Sequence, residues 1–296
     1  MTLATLTKRI ERLESRAIRV EAPAPVGLAD FIESDEFADQ LARVEGEAIN
    51  VPHWRGWAQA VEAKRYVGLI AFRGAAKSTF AKATIAHLLR SHRAGAFEGT
   101  YYSATTKLAR KHLRKLKMYV DPLARRWGWG DTTQGRALLQ YQRKGAWFSY
   151  EPSGTDEAAR GGHVDHMVLD DLVDPKKLTS VAEVERVLQA VKRRIIPLLK
   201  GGQTQILYCG TPLVEGDVTQ FIEQNPMFTT LRLPAIVGGV PTWPERYPIE
   251  VLDDVRRMIG GKAFGAEFQL EYVAELDSFI DPVLLKACVA GVGGAE

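Results

Sequence analysis

The chain has 296 residues, 46% of them hydrophobic and 25% charged, which suits one substantial α/β unit with small attachments. Its net charge of +3 supplies no whole-molecule field that argues for nucleic acid by itself. No segment reaches the roughly 18 continuous apolar residues of a membrane span and no apolar signal core opens the chain, so a soluble, unsecreted protein with no membrane partner is expected. The two cysteines, Cys209 and Cys288, lack metal-ligand spacing and read as small buried hydrophobes.

Leu3, Leu6, Ile10, Leu13, Ala17 and Val20 recur at three and four residues, the seam of a short amphipathic or coiled-coil helix over 1–20. So short a seam is marginal alone, and the helix is expected to pack on another chain or on its own core. Glu21-Ala22-Pro23-Ala24-Pro25 then sets a boundary, because prolines stiffen linkers and stop helices. From Leu28 to Ala63 the apolar spacing is helical. Within that stretch, Pro52-His53-Trp54-Arg55-Gly56-Trp57 with Gln59 reads as a set of adenine contacts or, through Trp54 and Trp57, as part of the core.

Tyr66 to Phe72 reads as the first core strand, and Ser78 to Arg90 as the helix after it. The turn between them, Arg73-Gly74-Ala75-Ala76-Lys77-Ser78-Thr79, stands where a phosphate-cradling loop belongs. Its backbone N–H groups would surround the β-phosphate of a nucleoside triphosphate, Lys77 would reach the β/γ oxygens, and the Ser78 hydroxyl would ligate Mg²⁺. A strict loop of this kind has glycine at the positions of Ala71 and Ala76, and glycine is used where backbone approaches a ligand closely or takes positive φ. The plain alternative is a helix start with Ser78 or Thr79 near the cap.

Gly99 to Thr105 is expected as a second strand feeding a helix. On that helix Lys107, Arg110, Lys111, Arg114 and Lys115 share one face, and Ala109, Leu113, Leu116 and Val120 the other. The basic face is either a surface for nucleic-acid phosphates or an ordinary solvated one. Lys192, Arg193 and Arg194 form a weaker patch near a helix end. Leu138 to Tyr141 and Ala146 to Ser149, around Lys144-Gly145, predict a β-hairpin.

His166-Met167-Val168-Leu169-Asp170-Asp171 is a short apolar strand ending in two carboxylates. A phosphate loop needs such a partner: one acid, Asp170, to hold the Mg²⁺ shell and a second, Asp171, to orient and polarise the attacking water. Ser180 with Glu183 forms a capping box for a helix reaching Ile196. Gln205-Ile206-Leu207-Tyr208-Cys209-Gly210-Thr211-Pro212 is a further buried strand, and Thr211 at its end would lie beside the γ-phosphate. Ligands gather at the carboxyl ends of parallel strands, so Lys77, Asp170, Asp171 and Thr211 describe one site. His163 and His166 lack companion ligands and read as structural. Beyond Pro234 turns give way to a helical pattern from Ile249 to Tyr272, read as a small lid.

Together these motifs resemble the large subunit of phage terminase, the ATPase that packages DNA into viral capsids, over roughly Asp30 to Tyr272. The family's loop carries an arginine four residues before its lysine, as Arg73 stands before Lys77, and variants reading Arg-Gly-x-Ala-Lys-Ser-Thr occur. Its second strand motif ends Asp-Glu or Asp-Asp, similar to Asp170-Asp171, and its coupling motif is similar to Gly210-Thr211-Pro212.

The resemblance implies an α/β P-loop NTPase fold of the ASCE type, with a mostly parallel sheet flanked by helices. It divides the chain into an N-terminal helix at 1–20, an ATPase core at 28–235 and a lid at 236–296. It also implies ATP and Mg²⁺ as cofactors, a bacteriophage protein of the host cytoplasm that sits transiently on the procapsid, and a homo-oligomeric ring, a pentamer in the family. Double-stranded DNA, the portal protein and the small terminase subunit are the implied partners. In the family an Arg-Gly pair precedes the catalytic acid; Arg160 stands there and is the implied trans-acting arginine finger, with Arg73 a competing candidate in cis. The family's nuclease domain would follow the ATPase, and no nuclease activity is expected of this chain. Two other classes share the motifs: a helicase-like DNA-remodelling ATPase, and a non-motor ATP-binding assembly module, motivated by Ala71, Ala76 and the aspartate at 171.

Overall fold

Short runs of apolar residues with no polar alternation can be satisfied only by strands covered on both faces. The computed structural model, which describes residues 23–133, 139–155, 164–173 and 181–272, assembles these runs into one eight-stranded sheet of order β3-β4-β5-β2-β6-β7-β1-β8. The strands are β1 (Tyr66–Ala71), β2 (Gly95–Ser103), β3 (Gly130–Asp131), β4 (Leu139–Arg143), β5 (Ala146–Gly154), β6 (His166–Asp170), β7 (Gln205–Gly210) and β8 (Thr229–Leu233). From β5 across to β8 every neighbouring pair is parallel. The antiparallel β3-β4-β5 ribbon closes one edge. Its β4-β5 turn is the expected Lys144-Gly145, with Arg143 opposite Ala146 and Gly145 at φ 76°. The central strand β6 is buried along its whole length, as an uninterrupted His-Met-Val-Leu-Asp run between two parallel neighbours requires.

Strand β7 lies between β1 and β6, so the loop-bearing strand and the acid-bearing strand are not neighbours. The carboxyl ends of β1, β6 and β7 therefore open side by side onto one edge of the sheet, the usual location of ligand sites in such folds.

Helices cover the sheet: α1 (Leu28–Glu33), α2 (Asp35–Glu45), α3 (Trp54–Ala63), α4 (Lys77–Ser91), α5 (Thr106–Arg126), α6 (Val181–Ala190), α7 (Val218–Gln224), α8 (Ile249–Ile259) and α9 (Gly261–Gln269). The helical pattern from Leu28 to Ala63 is three helices. Ser34 caps α2 by accepting from Phe37 N, Gly46 ends it at φ 83°, and Pro52 precedes α3. Trp54 and Trp57 are core residues, buried against Phe80 with the Trp57 and Phe80 rings 5.4 Å apart at 81°. Their side of the alternative left open by the sequence is packing.

Strand β2 begins at Gly95, before the expected Gly99, and stops at Ser103, because Thr105 turns the chain into α5 by accepting from Leu108 N at 3.2 Å. Helix α5 tolerates Pro122 in its interior. The carbonyl that proline leaves unpaired belongs to Met118, and Gln40 Nε2 donates to it at 3.0 Å. The inner face of α5, with Ala109, Leu113, Leu116 and Val120, is buried; Lys107, Arg110, Lys111 and Arg114 are exposed on the outer face. Lys115 departs from that face, since its Nζ lies 2.7 Å from Glu45 Oε2. The helix expected to reach Ile196 instead passes from α6 into a π turn, Val191–Ile195, and a 3₁₀ turn containing Pro197, while Ser180 of its expected cap lies outside the described residues.

The segment after Pro234 forms a hairpin of β9 (Ile236–Val237) and β10 (Val240–Pro241) followed by α8 and α9. It returns to the loop after β1: Arg73 N donates to Glu267 O at 2.9 Å and Ala235 N to Phe268 O at 2.7 Å, and Phe268 stacks on Phe72 at 6.3 Å. The expected helix over 1–20 and Cys288 fall outside the described residues. Among those residues no helix is long and apolar enough to cross a membrane.

Candidate functional site

Phe72 and Ala75, both fully buried, pin the turn between β1 and α4. Between and after them the backbone takes left-handed geometry at Gly74 (φ 96°) and at Ala76 (φ 61°, ψ 28°). Ala76 is thus the position at which a glycine was missed in the sequence, and the chain accepts there a conformation that costs an L-residue about 1–2 kcal/mol. No side chain caps the N-terminus of α4, so its first N–H groups face the loop's concavity, an arrangement suited to an anion. His53 Nε2 meets Ala75 O at 2.9 Å, and burial pushes that imidazole down to about 4, so the neutral ring donates through its N–H.

Gly74 cannot be enlarged without cost. A Cβ there would come 2.1 Å from Tyr247 Oη, and the ring of Tyr247 packs edge-on to Phe72 at 5.4 Å. Gly74→Ala is therefore expected to lower stability by about 2 kcal/mol, the left-handed backbone supplying most of it. In urea unfolding, full stability in this variant would refute the geometry.

The Lys77 ammonium is buried and is held by Ala71 O at 2.7 Å, Phe72 O at 3.1 Å and Thr211 Oγ1 at 3.0 Å. Thr211 Oγ1 in turn donates to Ala71 O at 3.0 Å. Burial pushes Lys77 down from its ordinary value, with the Asp171 carboxylate the largest opposing influence. Ser78 Oγ donates to Asp170 Oδ1 at 3.0 Å. Asp170 is fully buried; its other oxygen accepts from Tyr101 Oη, and its carbonyl from Ser103 Oγ at 2.7 Å.

Asp171 turns out of the strand at φ 45°, held by Asp171 N donating to Cys209 O at 3.1 Å and Ala104 N donating to Asp171 O at 3.0 Å. This left-handed turn sends successive carboxylates to different places: Asp170 into the protein against Ser78, Asp171 to the cavity wall. Asp171 is exposed at the cavity; partial loss of hydration to the surrounding protein, and then the Asp170 carboxylate, push its carboxyl above the usual range.

These groups border one cavity of about 540 Å³, within the range of small-ligand sites. Arg73, Gly74, Ala76, Lys77, Ser78, Thr79, Asp171 and Thr211 line it, so the structure brings together the expected residues of three separate strand ends. Ala75 is buried beneath the loop and Asp170 stands behind Ser78. The Arg73 side chain, 68% exposed, pairs with Glu267 at 3.2 Å at the cavity's edge. Arg160 lies outside the described residues. The chain leaves β5 at the cavity's margin, where Thr155 Oγ1 donates to Ala104 O at 3.1 Å and to Leu172 O at 3.3 Å.

Sequence reasoning passed over several residues of this site. Arg246 and Tyr247 line the cavity from the segment before α8, with Arg246 paired to Glu47 at 2.7 Å; nothing in their local pattern marks them. Lys82 did carry a signal, a charged residue on the apolar side of α4. It is buried, its Nζ donates to Ser78 O at 2.6 Å, and burial pushes it down to about 8. His112 of α5 stacks on Tyr101 at 5.3 Å with its Nδ1 3.8 Å from Asp170 Oδ2. Burial holds it near 3, hence neutral.

His166 is buried and meets Tyr150 Oη at 2.6 Å through Nδ1, a structural placement; His163 lies outside the described residues. Burial pushes His166 down to about 3, so in the unfolded chain it takes up a proton at a pH where the folded chain does not. Its contribution to stability is complete above its unfolded value near 6.5 and is lost as pH falls from there toward 3, at up to roughly 1.4 kcal/mol per pH unit. Thermal unfolding followed from pH 7 to pH 4 should show this decline, and a flat profile would contradict the buried neutral ring.

No family model matches the chain and no curated protein does. Solved structures do. The large terminase ATPase domain of Thermus phage P74-26 aligns at a TM-score of 0.58 and 18% identity, over 80% of this chain and 99% of that one. The fold is that of a phage large terminase ATPase domain. The HK97 bacteriophage large terminase gives a TM-score of 0.54 at 11% identity, over 82% of this chain and 54% of that one, so the terminase ATPase fold seen here spans about half of that longer protein.

Proposed function

We propose that this chain is the Mg-ATP-hydrolysing motor domain of a terminase large subunit, working as a ring that moves double-stranded DNA into a procapsid in the host cytoplasm. The observation that carries this reading is the meeting of Lys77, Ser78, Asp171 and Thr211 around one cavity at the carboxyl ends of β1, β6 and β7, with Asp170 behind Ser78. The terminase-type fold supports it. The residues fit a Mg-nucleotide: the uncapped start of α4 and the left-handed loop offer N–H groups to phosphate, and Ser78 and Asp170 already share a hydrogen bond at 3.0 Å.

In this reading Lys77 exchanges its backbone acceptors for phosphate oxygens, leaving Thr211, hydrogen-bonded to it now, beside the terminal phosphate. Asp171 orients and polarises the attacking water from the cavity wall. Ser78 and Asp170 would hold Mg²⁺, which when bound neutralises charge on the β- and γ-phosphate oxygens. Arg160 of a neighbouring subunit spreads the charge of the transferring group, and Arg73 stands in cis beside the loop. The exposed stripe Lys107, Arg110, Lys111 and Arg114 on α5 offers charges to DNA phosphates without reading sequence, as a motor requires. The portal ring and the small terminase subunit are the proposed protein partners, with 28–235 the ATPase core and 236–296 a lid.

The test is phosphate release from Mg-ATP over a range of protein concentrations, with Lys77→Ala as the blank. Turnover per subunit that rises with concentration and vanishes in the blank is the expected result. Nucleotide binding without turnover at any concentration would favour an assembly module instead.

A further inference from the structure

Both oxygens of the Asp170 carboxylate are committed before any ligand arrives. Oδ1 accepts from Ser78 Oγ at 3.0 Å, and Oδ2 accepts from Tyr101 Oη. Tyr101 belongs to β2, the strand beside β6, and is fully buried. Its hydroxyl is a polar group with no access to water, and an unmade hydrogen bond there would be costly. The ring cannot swing away: His112 of α5 stacks against it at 5.3 Å and 15°. Ser103, two residues on along the same strand and so on the same face, fixes the Asp170 carbonyl at 2.7 Å. Strand β2 thus grips Asp170 at backbone and side chain alike.

From this geometry we infer that Tyr101 is the positioning residue of the metal site, holding the Asp170 carboxylate in the rotamer that presents Oδ1 to the ion shared with Ser78. The inference rests on the reading of Ser78 and Asp170 as the Mg²⁺ holders. A carboxylate free to rotate would meet the ion in several orientations and lose affinity to the entropy of choosing one. Hydrogen bonds from neighbours that orient metal-ligating groups typically contribute 10–100-fold in metal affinity. Tyr101 touches neither nucleotide nor water in this scheme, so its effect should fall on the metal and spare the nucleotide. It also explains a buried tyrosine where a phenylalanine would fill the same space.

The experiment is a titration of Mn²⁺, read by electron paramagnetic resonance, into the full chain saturated with a non-hydrolysable ATP analogue. It compares wild type, Tyr101→Phe and Tyr150→Phe, a second fully buried tyrosine whose hydroxyl meets His166 at the far end of β6, with analogue binding measured separately in the presence of a chelator. Tyr101→Phe keeps the ring and its stacking and removes the hydroxyl alone, so a folded protein is expected. The expected result is a Mn²⁺ midpoint raised about 10–100-fold in Tyr101→Phe, with metal-free analogue binding unchanged and Tyr150→Phe, whose lost hydroxyl does not face Asp170, close to wild type.

An unshifted midpoint in Tyr101→Phe, with wild type binding normally, would overturn the inference. An equal shift in both variants would assign the effect to the loss of any buried tyrosine hydroxyl and overturn it as well. Should wild type bind analogue but show no nucleotide-dependent Mn²⁺ site, the reading of Ser78 and Asp170 would fall, and this inference with it.

Discussion

Asp171→Asn is expected to reduce ATP turnover about 10²–10⁴-fold, the contribution of a positioned general base, while ATP binding survives. The substitution keeps volume and hydrogen-bonding reach but removes the negative charge that orients and polarises water. Asp171 is placed for this role by a backbone turn: at φ 45° it leaves β6 toward the cavity instead of continuing the strand. Its negative charge also faces the cavity that the phosphates would enter, so removing it relieves repulsion and the variant should bind nucleotide phosphate at least as well as wild type. Lys77→Ala differs in kind, since it removes the group that meets the phosphates and should lose binding and turnover together. Equilibrium binding of a fluorescent ATP analogue beside single-turnover hydrolysis separates the two, and an Asp171→Asn protein that turns over normally would remove the residue from the mechanism.

Arg160→Ala should lower turnover further, by about 10³–10⁵, the range for an arginine finger, again without loss of nucleotide binding. If the finger acts in trans, the two inactive proteins complement each other. In a mixed ring an Arg160→Ala subunit keeps its own Asp171 and receives an intact arginine from an Asp171→Asn neighbour. Mixing Arg160→Ala with Asp171→Asn should therefore restore part of the activity that neither has alone. No recovery on mixing, in rings shown to exchange subunits, would remove the trans role from Arg160, and an Arg160→Ala protein that turns over normally would leave the role to Arg73 in cis. Arg73 is at present paired with Glu267, so acting on a phosphate would require it to leave that carboxylate.

Much of the site was legible because its parts are local. The order strand, small-residue turn, Lys-Ser-Thr and helix forces a loop whose N–H groups converge, and three apolar residues followed by Asp170-Asp171 force two carboxylates to a strand end. The worry about Ala76 was likewise well placed, since that residue does take positive φ. The basic face of α5 was read from a 3.6-residue period alone, and only Lys115 left it. Its exception has a tertiary cause, a carboxylate from α2 that no window around α5 contains. Trp54 and Trp57 were ambiguous for the same reason: an aromatic pair looks alike in sequence whether it faces a base or Phe80.

By itself, then, the sequence determined the alternation of buried strands and helices, the small-residue turn into α4 and the acid-bearing strand end, because each depends on residues within a few positions of one another. Only the tertiary structure decided that β7 lies between β1 and β6, and hence that Thr211 comes within 3.0 Å of Lys77. It alone also set Tyr247 over Gly74, Glu267 beside Arg73, and Tyr101 with His112 behind Asp170. Those contacts join residues far apart in the chain. Strand order and the packing of the segment after Pro234 place them, and these follow from closing one core, which no local spacing encodes.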